Sequence, residues 1–435
     1  MHVGRHWKLL AGFAAFVVVF AGCSSEGGGA AGDIKTDVGV TAEPCPGSTH
    51  QDRGCIYLGI LSDLTEGPFR ALGVTITDGN KDFWKRVNAG DGIGGKYDVD
   101  VTTYTRDNKY NPQEHVAKLR EILPNVLALA QSLGTPMTIA AKPIMDENDL
   151  VAAPASLWSG WSFEDLVLES AYNYCIESIN GLDWAAEEFG KPDAIMAIHY
   201  PGDYGGDSAA GVANWAKAND VDFPAANNVQ TLPNAAAGNQ DQAVGAILKT
   251  KPDVAVLATG PAESAEIIGK AVAQGFAGRF MGNVPTYNPA LLQSQAAEAI
   301  KTKYNFVAPL APWGSDDGAH DAMKEAVGDK LPANDFYALG WIASYPLKAL
   351  LEKAVSKGDL TRAGLRGSID EITVDYEGAL PRRNYKGDAN DNVVRTALIG
   401  KADAEADLGW SVVKPSFTGK TAQTFEFTEA CQAAG

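Results

Sequence analysis

Short apolar runs alternate with longer stretches of helical periodicity over most of this 435-residue chain. Runs of four to eight apolar residues bounded by turn residues are typical of buried strands, and apolar spacing of three and four is typical of amphipathic helices. The predicted strands are 56–61, 97–104, 126–130, 151–153, 194–199, 254–258, 279–282 and 304–310, and the first predicted helices are 73–88, 112–123 and 137–146. This regular alternation predicts an α/β fold with doubly wound parallel sheets.

The loops that follow the predicted strands are the places where such sheets bind ligands. Three of them, at 131–136, 154–161 and 200–207, are rich in glycine, proline and hydroxyl-bearing residues. These residue types also form turns for backbone reasons alone. The loop 131–136 opens a predicted helix, where free N–H groups and the Thr135 hydroxyl suit a carboxylate or another polar group. Three such loops on one side of the sheets favour a binding cleft over simple turns.

The first 22 residues have the layout of a secretory signal, with basic Arg5 and Lys8, an apolar core at 9–20 and no acidic residue. The core is shorter than the roughly 20 residues that cross a bilayer. The four residues that end at Cys23, Phe-Ala-Gly-Cys, resemble a bacterial lipobox. This resemblance implies cleavage before Cys23 and acylation of its thiol. The alternative is a cysteine that merely follows a signal peptide.

The residues after Cys23 are rich in serine, glycine and alanine up to residue 39. Such a composition suits a flexible tether. We therefore expect a lipoprotein signal peptide at 1–22, a flexible tether at 23–44, and an extracytoplasmic protein anchored to the cell membrane by the lipid on Cys23.

The chain is acidic, with a formal net charge of −18 that becomes −20 when residues 1–22, and with them two basic residues, are removed. This charge argues against binding to nucleic acid and against adsorption onto anionic lipid, so membrane contact is expected through the lipid anchor only. The apolar fraction of 45% is ordinary for a globular protein. A folded part of about 390 residues exceeds what one core usually supports, which predicts two lobes.

The chain has five cysteines, and acylation of Cys23 leaves four for disulfides in an exported protein. Cys45 and Cys55 flank a short polar loop, which favours their pairing and leaves Cys175 to pair with Cys431. Four cysteines allow three pairings, so this preference rests on proximity. A zinc site is the alternative to disulfides for these cysteines, but Cys-x-x-Cys spacing is missing and the histidines are scattered. We expect no metal.

The segment 90–95 satisfies the pattern G-x-G-x-x-G. A dinucleotide-binding motif follows a strand and opens a helix. Here a predicted helix comes first and a predicted strand follows, so we expect the glycines to form a helix end and a turn, with no nucleotide or other cofactor. Because the sequence also offers no nucleophile–base pair, we expect a protein that binds rather than catalyses.

Several stretches occur in a fixed order downstream of the lipobox: Leu58-Gly59-Ile60-Leu61 with Gly67-Pro68, 87–95, Gly134-Thr135, Pro154-Ala155-Ser156, 199–207 and Phe280-Met281-Gly282. Together they resemble the type I solute-binding proteins of ABC transporters, in particular the branched-chain amino acid (Leu/Ile/Val) binding family. The resemblance implies two doubly wound parallel-sheet lobes joined by three crossovers, with the solute between them. Carried over to this chain, the lobes are 56–173 plus 308–382 and 174–307 plus 383–435.

The resemblance also implies a binding site. In the family, the positions that match Gly134-Thr135 and Ala155-Ser156 hold the carboxylate of the amino acid, and the tyrosine that matches Tyr204 lies at the cleft from the other lobe. Aromatic side chains would suit an apolar or aromatic solute, although they could equally serve as packing residues. The expected ligand-binding residues are Gly134, Thr135, Ala155, Ser156, Tyr204, Phe69 and Trp158.

One position departs from the family pattern. Its amino acid binders use an acidic residue just after the Met-Gly strand end to pair with the ammonium group, whereas here Asn283 follows Met281-Gly282. A buried ammonium without a carboxylate is costly. Either Asp203 or Glu263 supplies the charge, or the solute is not an amino acid.

The sequence therefore predicts a monomeric solute receptor with no enzymatic activity. It is expected to capture a small organic solute, either amino acid-like or apolar and aromatic, and to deliver it to the permease subunits of an ABC transporter. The alternatives are an exported α/β hydrolase, which would need a catalytic constellation, and a ligand-sensing ectodomain that uses the same fold.

Overall fold

A computed structural model describes residues 34–434. The predicted signal peptide and Cys23 lie outside the described residues, as does the side chain of Asp203. The structure differs from the predicted tether in its last part, because residues 35–36 and 40–41 form strands that pair with other strands of the fold. The folded part of the chain therefore includes residues that we expected in the tether.

The described residues contain seventeen β-strands, most of them short. They are β1 (Lys35–Thr36), β2 (Val40–Thr41), β3 (Gly54–Ser62), β4 (Tyr97–Asp100), β5 (Thr105–Asp107), β6 (Ala128–Leu133), β7 (Ala152–Ala155), β8 (Ile195–His199), β9 (Asn228–Gln230), β10 (Val254–Ala258), β11 (Arg279–Gly282), β12 (Tyr304–Ala308), β13 (Asp359–Leu360), β14 (Thr373–Val374), β15 (Arg383–Asn384), β16 (Ala397–Ala402) and β17 (Trp410–Phe417).

The same part of the chain contains fifteen α-helices. They are α1 (Arg70–Ala89), α2 (Pro112–Ile122), α3 (Thr135–Glu147), α4 (Tyr174–Phe189), α5 (Asp203–Ala218), α6 (Asn234–Ala237), α7 (Asp241–Thr250), α8 (Pro261–Ala273), α9 (Ala297–Lys303), α10 (Gly318–Val327), α11 (Phe336–Ile342), α12 (Tyr345–Lys357), α13 (Arg362–Arg366), α14 (Ala389–Asn392) and α15 (Lys420–Thr424).

One sheet has the strand order β2-β3-β6-β7, and β4 and β5 pair with the two ends of the long strand β3. All pairings in this sheet are parallel except that of β2 with β3. Strand β6 is buried along its whole length, as expected of a parallel strand covered by helices on both faces. Because β3, β6 and β7 run in the same direction, the loops that follow β6 and β7 lie at the same edge of the sheet.

A second sheet has the order β17-β16-β12-β11-β10-β8-β9. Its five strands from β9 to β12 pair in parallel, and the hairpin of β16 and β17 adds two antiparallel strands at one edge. The predicted α/β fold is confirmed, with mixed sheets in which parallel pairings dominate. The division into lobes at 56–173 plus 308–382 and 174–307 plus 383–435 stays a prediction.

Both predicted disulfides are confirmed. Cys45 pairs with Cys55 across a sequence separation of 10 residues, and Cys175 pairs with Cys431 across 256 residues. The first bond joins β3 to the segment that follows β2. The second fastens the end of the chain to the first turn of α4. The two bonds therefore hold both ends of the described chain to its core.

Buried apolar side chains form three clusters. One cluster contains residues of the loop edge of the first sheet, such as Leu133 and Leu157, together with residues of α4 and α5, such as Tyr174 and Tyr204. Burial of each such side chain contributes about 1.5–3 kcal/mol. This cluster holds the strand-end loops together and surrounds the cavity described next.

Candidate functional site

A cavity of about 510 Å³, a volume that includes space open to solvent, lies where the loops that follow β6, β7 and β11 meet the N-terminal ends of α1, α4, α5 and α11, and is here called the first cavity. Its wall is largely apolar and aromatic. The wall consists of Phe69, Leu72, Ile76, Tyr110, Leu133, Gly134, Thr135, Ala155, Ser156, Leu157, Tyr174, Tyr204, Val284, Pro285, Phe336 and Leu339.

The turn at Gly134 places Thr135 on the cavity wall. Gly134 has a φ of +98°, which glycine adopts readily, and a Cβ at this position would lie 2.0 Å from Cε of Met137. Gly134 precedes α3, and no side chain caps the first turn of that helix. The Thr135 side chain is 1% exposed, and its hydroxyl has no hydrogen-bond partner. A buried hydroxyl without a partner is costly, and the Thr135 hydroxyl keeps its capacity to donate and to accept a hydrogen bond.

Ser156 supplies a second hydroxyl just beyond the end of β7. Its Oγ accepts the indole N–H of Trp161 at 3.1 Å, which fixes the position of the oxygen. Among the described residues, no acceptor is identified for the hydroxyl proton of Ser156. The cavity wall therefore holds two hydroxyl donors, Thr135 and Ser156, that can serve one polar group.

Aromatic rings form another part of the wall. Phe69 lies 4.7 Å from Tyr110 and 6.2 Å from Tyr204 between ring centroids, and Tyr174 lies 4.7 Å from Tyr204. The Tyr204 hydroxyl donates to the backbone oxygen of Thr259 at 3.2 Å. Burial raises the pKa of Tyr174 and of Tyr204 well above the ordinary value, so both phenols stay neutral.

Phe69 is held in place by Asp63. The two carboxylate oxygens of Asp63 accept the backbone N–H groups of Gly67 at 2.9 Å and of Phe69 at 3.0 Å. This turn ends directly before α1, whose residues Leu72 and Ile76 extend the wall. The position of Phe69 is therefore fixed by backbone hydrogen bonds as well as by ring contacts.

The wall of the first cavity includes no Asp, Glu, Lys, Arg or His residue. Asn283, which stands where the amino acid binders of the resembling family have an acid, has its amide oxygen bonded to the Ser208 hydroxyl at 2.9 Å and its amide nitrogen bonded to Glu177. Glu263 is outside the wall, where it accepts the backbone N–H of Asn234 at 2.7 Å. Among the residues that the structure describes, none on the cavity wall thus offers a carboxylate to the ammonium group of a ligand.

Glu177 is a buried carboxyl that bonds to a residue of the cavity wall. It accepts the backbone N–H of Val284 at 2.6 Å and the Tyr172 hydroxyl at 3.2 Å, besides the Asn283 amide. Burial raises the pKa of Glu177 to about 8, although these three hydrogen bonds lower it. Near neutral pH the carboxyl is therefore largely protonated, and its hydrogen bonds position the loop after β11.

The structure brings six of the seven predicted ligand-binding residues together on one wall: Phe69, Gly134, Thr135, Ala155, Ser156 and Tyr204. Trp158 is not among the wall residues. Its indole N–H donates to the backbone oxygen of Gln432 at 2.8 Å, and its ring packs against Trp161. Trp158 therefore fastens the C-terminal tail. The ligand-binding roles themselves stay predictions.

Sequence reasoning missed ten residues of the wall. Val284 and Pro285 lie in the loop after β11, so the rule that ligands bind after strand ends applies to them. Phe336 and Leu339 lie on α11, and the sequence gives them only the apolar spacing of a packing helix. The other missed wall residues are Leu72, Ile76, Tyr110, Leu133, Leu157 and Tyr174.

Residues 34–434 contain neither a candidate membrane span nor a candidate metal site. None of the helices there combines the length and the apolarity that a membrane span requires. No group of three or more His, Cys, Asp or Glu side chains in that range is arranged to hold a metal ion.

Comparison with known proteins gives a family match and several solved structures of similar fold. Residues 56–407 match the model of a family described as periplasmic binding protein. The chain is similar to the solved structure of a fatty acid ABC transporter substrate-binding protein from Thermomonospora curvata, with 25% identity and a TM-score of 0.78 over 90% of this chain and 98% of that chain.

Two further solved structures share the fold. An ABC transporter substrate-binding protein from Aeropyrum pernix is 18% identical, with a TM-score of 0.73 over 85% of this chain and 98% of that one. A branched-chain amino acid ABC transporter protein from Thermus thermophilus with bound valine is 16% identical, with a TM-score of 0.71 over 85% and 98% of the two chains. No curated protein sequence gives a significant match.

Proposed function

The chain belongs to the periplasmic binding protein family and is an extracytoplasmic solute receptor of an ABC transporter, and we propose that its solute is an apolar organic molecule with one polar end, such as a fatty acid. The predicted resemblance to type I solute-binding proteins is confirmed by the family match, and the chain is a binding protein rather than an enzyme.

One observation carries this proposal: the wall is apolar and aromatic, holds no charged side chain, and contains the buried, unpartnered hydroxyl of Thr135. A zwitterionic amino acid would bury an ammonium group without a carboxylate, which costs several kcal/mol. An apolar chain gains about 0.8 kcal/mol for each methylene group that it buries. The wall therefore favours a solute that is apolar except at one end.

The polar end is assigned to the turn at Thr135. The hydroxyls of Thr135 and Ser156 can donate to a carboxylate or accept from an alcohol. The first turn of α3 has no side-chain cap, and the positive end of a helix dipole favours an anionic group. These features together favour a carboxylate. The similarity to the Thermomonospora curvata protein, a fatty acid ABC transporter substrate-binding protein, supports the same class of solute.

We also propose that the receptor is monomeric and held at the cell membrane by a lipid on Cys23. The observation behind the anchor is the lipobox-like sequence that ends at this cysteine. A tether from Cys23 would keep the receptor near the permease subunits to which it delivers its solute.

Isothermal titration of the purified, delipidated protein tests the proposed solute. We expect saturable one-to-one binding of laurate and no heat of binding with leucine, isoleucine or valine at the same concentrations. Binding raises the midpoint of thermal unfolding by mass action. Binding of leucine with an affinity equal to or above that of laurate would show the proposed solute class to be wrong.

A further inference from the structure

A second cavity of about 490 Å³, a volume that includes space open to solvent, adjoins the first, and Val284, Phe336 and Leu339 line both. We propose that the apolar chain of the solute passes between these three side chains and ends in the second cavity, so that the receptor selects long-chain over short-chain solutes. This inference rests on the proposed function and adds the length of the solute to it.

The contents of the wall favour an apolar occupant of the second cavity. Its apolar part comes from the end of β12, the loop that follows it and the segment after β11. These residues are Pro289, Phe306, Ala308, Pro309, Leu310 and Ala311. They offer a hydrocarbon chain a continuation of the apolar surface that begins at Leu72 and Ile76 in the first cavity.

The polar groups of the second wall are already bonded within the protein. The carboxylate of Asp335 accepts the backbone N–H of Trp313 at 2.8 Å and the indole N–H of Trp410. Asn334 donates to the backbone oxygen of Ala71 at 3.2 Å, and the Tyr287 hydroxyl donates to the backbone oxygen of Gly409. In contrast, the first cavity has the unpartnered Thr135 hydroxyl.

This difference orients the solute. A carboxylate in the second cavity would meet polar groups that already have hydrogen-bond partners. It would also share that cavity with the Asp335 carboxyl. At Thr135 the carboxylate meets free donors and no acid. The polar end therefore belongs in the first cavity and the methyl end in the second.

The passage between the cavities is formed by side chains that are not fully enclosed. Val284 and Leu339 are only partly buried, and Phe336 is 8% exposed. All three side chains are apolar, so a hydrocarbon chain that passes between them replaces apolar contacts among these side chains by apolar contacts with itself. The passage therefore sets no electrostatic barrier to a hydrocarbon chain.

Titration of the delipidated full-length protein with octanoate, laurate and palmitate tests the proposal. Each added methylene that is buried should lower Kd roughly fourfold. We expect this rise in affinity to continue from laurate to palmitate, because the second cavity continues the apolar wall beyond the first. Equal Kd values for octanoate and palmitate would overturn the proposal.

Two variants separate the cavities. Ala311 lines only the second cavity and Ala155 lines only the first. Ala311→Phe should reduce the ratio of palmitate to octanoate affinity by tenfold or more, whereas Ala155→Val should weaken both ligands and keep their ratio. An unchanged ratio in Ala311→Phe would contradict the proposal.

Fluorescence quenching gives a readout that does not depend on the folding of Ala311→Phe. Trp410 lines the second cavity. Palmitate that carries bromine next to its methyl end should quench Trp410, and this part of the quenching should be missing in Trp410→Phe. Identical quenching in the two proteins would overturn the proposal. If neither laurate nor palmitate binds at all, the proposed function fails instead, so the two failures are distinguishable.

Discussion

Glu177 accepts the backbone N–H of Val284 at 2.6 Å, which joins a buried carboxyl to a residue that lines both cavities. The charge state of this carboxyl therefore acts directly on the loop after β11. Burial raises the pKa of Glu177 from the ordinary 4.5 to about 8. The folded protein keeps a proton on Glu177 at pH values where the unfolded chain has released it.

The stability of the protein should consequently fall as pH rises from about 4.5 to about 8, because the folded state binds more protons than the unfolded state in this range. One proton contributes at most about 1.4 kcal/mol per pH unit to the free energy of unfolding. Glu177→Gln should reduce this slope. Urea unfolding of both proteins over the range measures it.

Part of the slope should remain in Glu177→Gln, because burial also raises the pKa of Asp207 to about 7 and that of Asp335 to about 6. Asp207→Asn serves as the matched control, since it removes a different buried carboxyl and should reduce the slope over a lower pH range. The same slope in Glu177→Gln and in the unmodified protein would refute the assignment to Glu177.

Thr135→Val should change stability and ligand affinity in opposite directions. Valine has the same shape as threonine without the hydroxyl, so the ligand-free protein should gain about 1–2 kcal/mol of unfolding free energy by losing an unpartnered buried group. A hydrogen bond to a carboxylate contributes about 1.5–3 kcal/mol, so the affinity for laurate should drop roughly 10- to 100-fold.

Thr135→Ser is the control for this experiment, because it keeps the hydroxyl and removes only a methyl group. Calorimetric titration should give it an affinity well above that of Thr135→Val. If the valine variant binds laurate as tightly as the unmodified protein, Thr135 does not contact the polar end.

The two disulfides should differ in their contribution to stability. In the chain-entropy model, a bond that closes 256 residues stabilises by roughly 5 kcal/mol and one that closes 10 residues by roughly 3 kcal/mol. Replacing Cys175 and Cys431 by alanine should thus lower the denaturation midpoint more than replacing Cys45 and Cys55. The reverse order would mean that the tail is held mainly by its hydrogen bonds, such as that of Trp158 to Gln432.

Cys23→Ser tests the proposed anchor. A serine has no thiol to carry the lipid, so the variant should move from the membrane fraction to the soluble extracytoplasmic fraction and lose metabolic labelling with palmitate. The unmodified protein should remain with the membrane after a high-salt wash, which removes proteins held by charge alone. Unchanged fractionation of the variant would argue against a lipid on this residue.

The central strands of the second sheet were predictable from the sequence because their signal is local. Strands β10 and β11 have the bounds that the apolar runs predict. A strand buried on both faces reads as a continuous apolar run between turn residues. Strands β1 and β2 were missed, since two residues carry no periodicity. Strand β17 was missed as well, because most of it is partly buried or exposed.

In the candidate site, the residues that were predicted lie in loops at strand ends, and residues on a distant helix were missed. Gly134, Thr135 and Ser156 follow strand ends, where the topology of parallel sheets brings loops together. Phe336 and Leu339 reach the cavity only through the packing of a helix that lies about 180 residues further along the chain. No local pattern distinguishes them from ordinary core residues, so the second cavity could not be predicted.

A crystal structure of the delipidated protein with bound palmitate would show both the site of the solute and its direction. We expect the carboxylate within hydrogen-bond distance of the Thr135 and Ser156 hydroxyls, with the chain running past Phe336 toward Trp410. Electron density that places the carboxylate beside Asp335, or a ligand bound outside the first cavity, would contradict it.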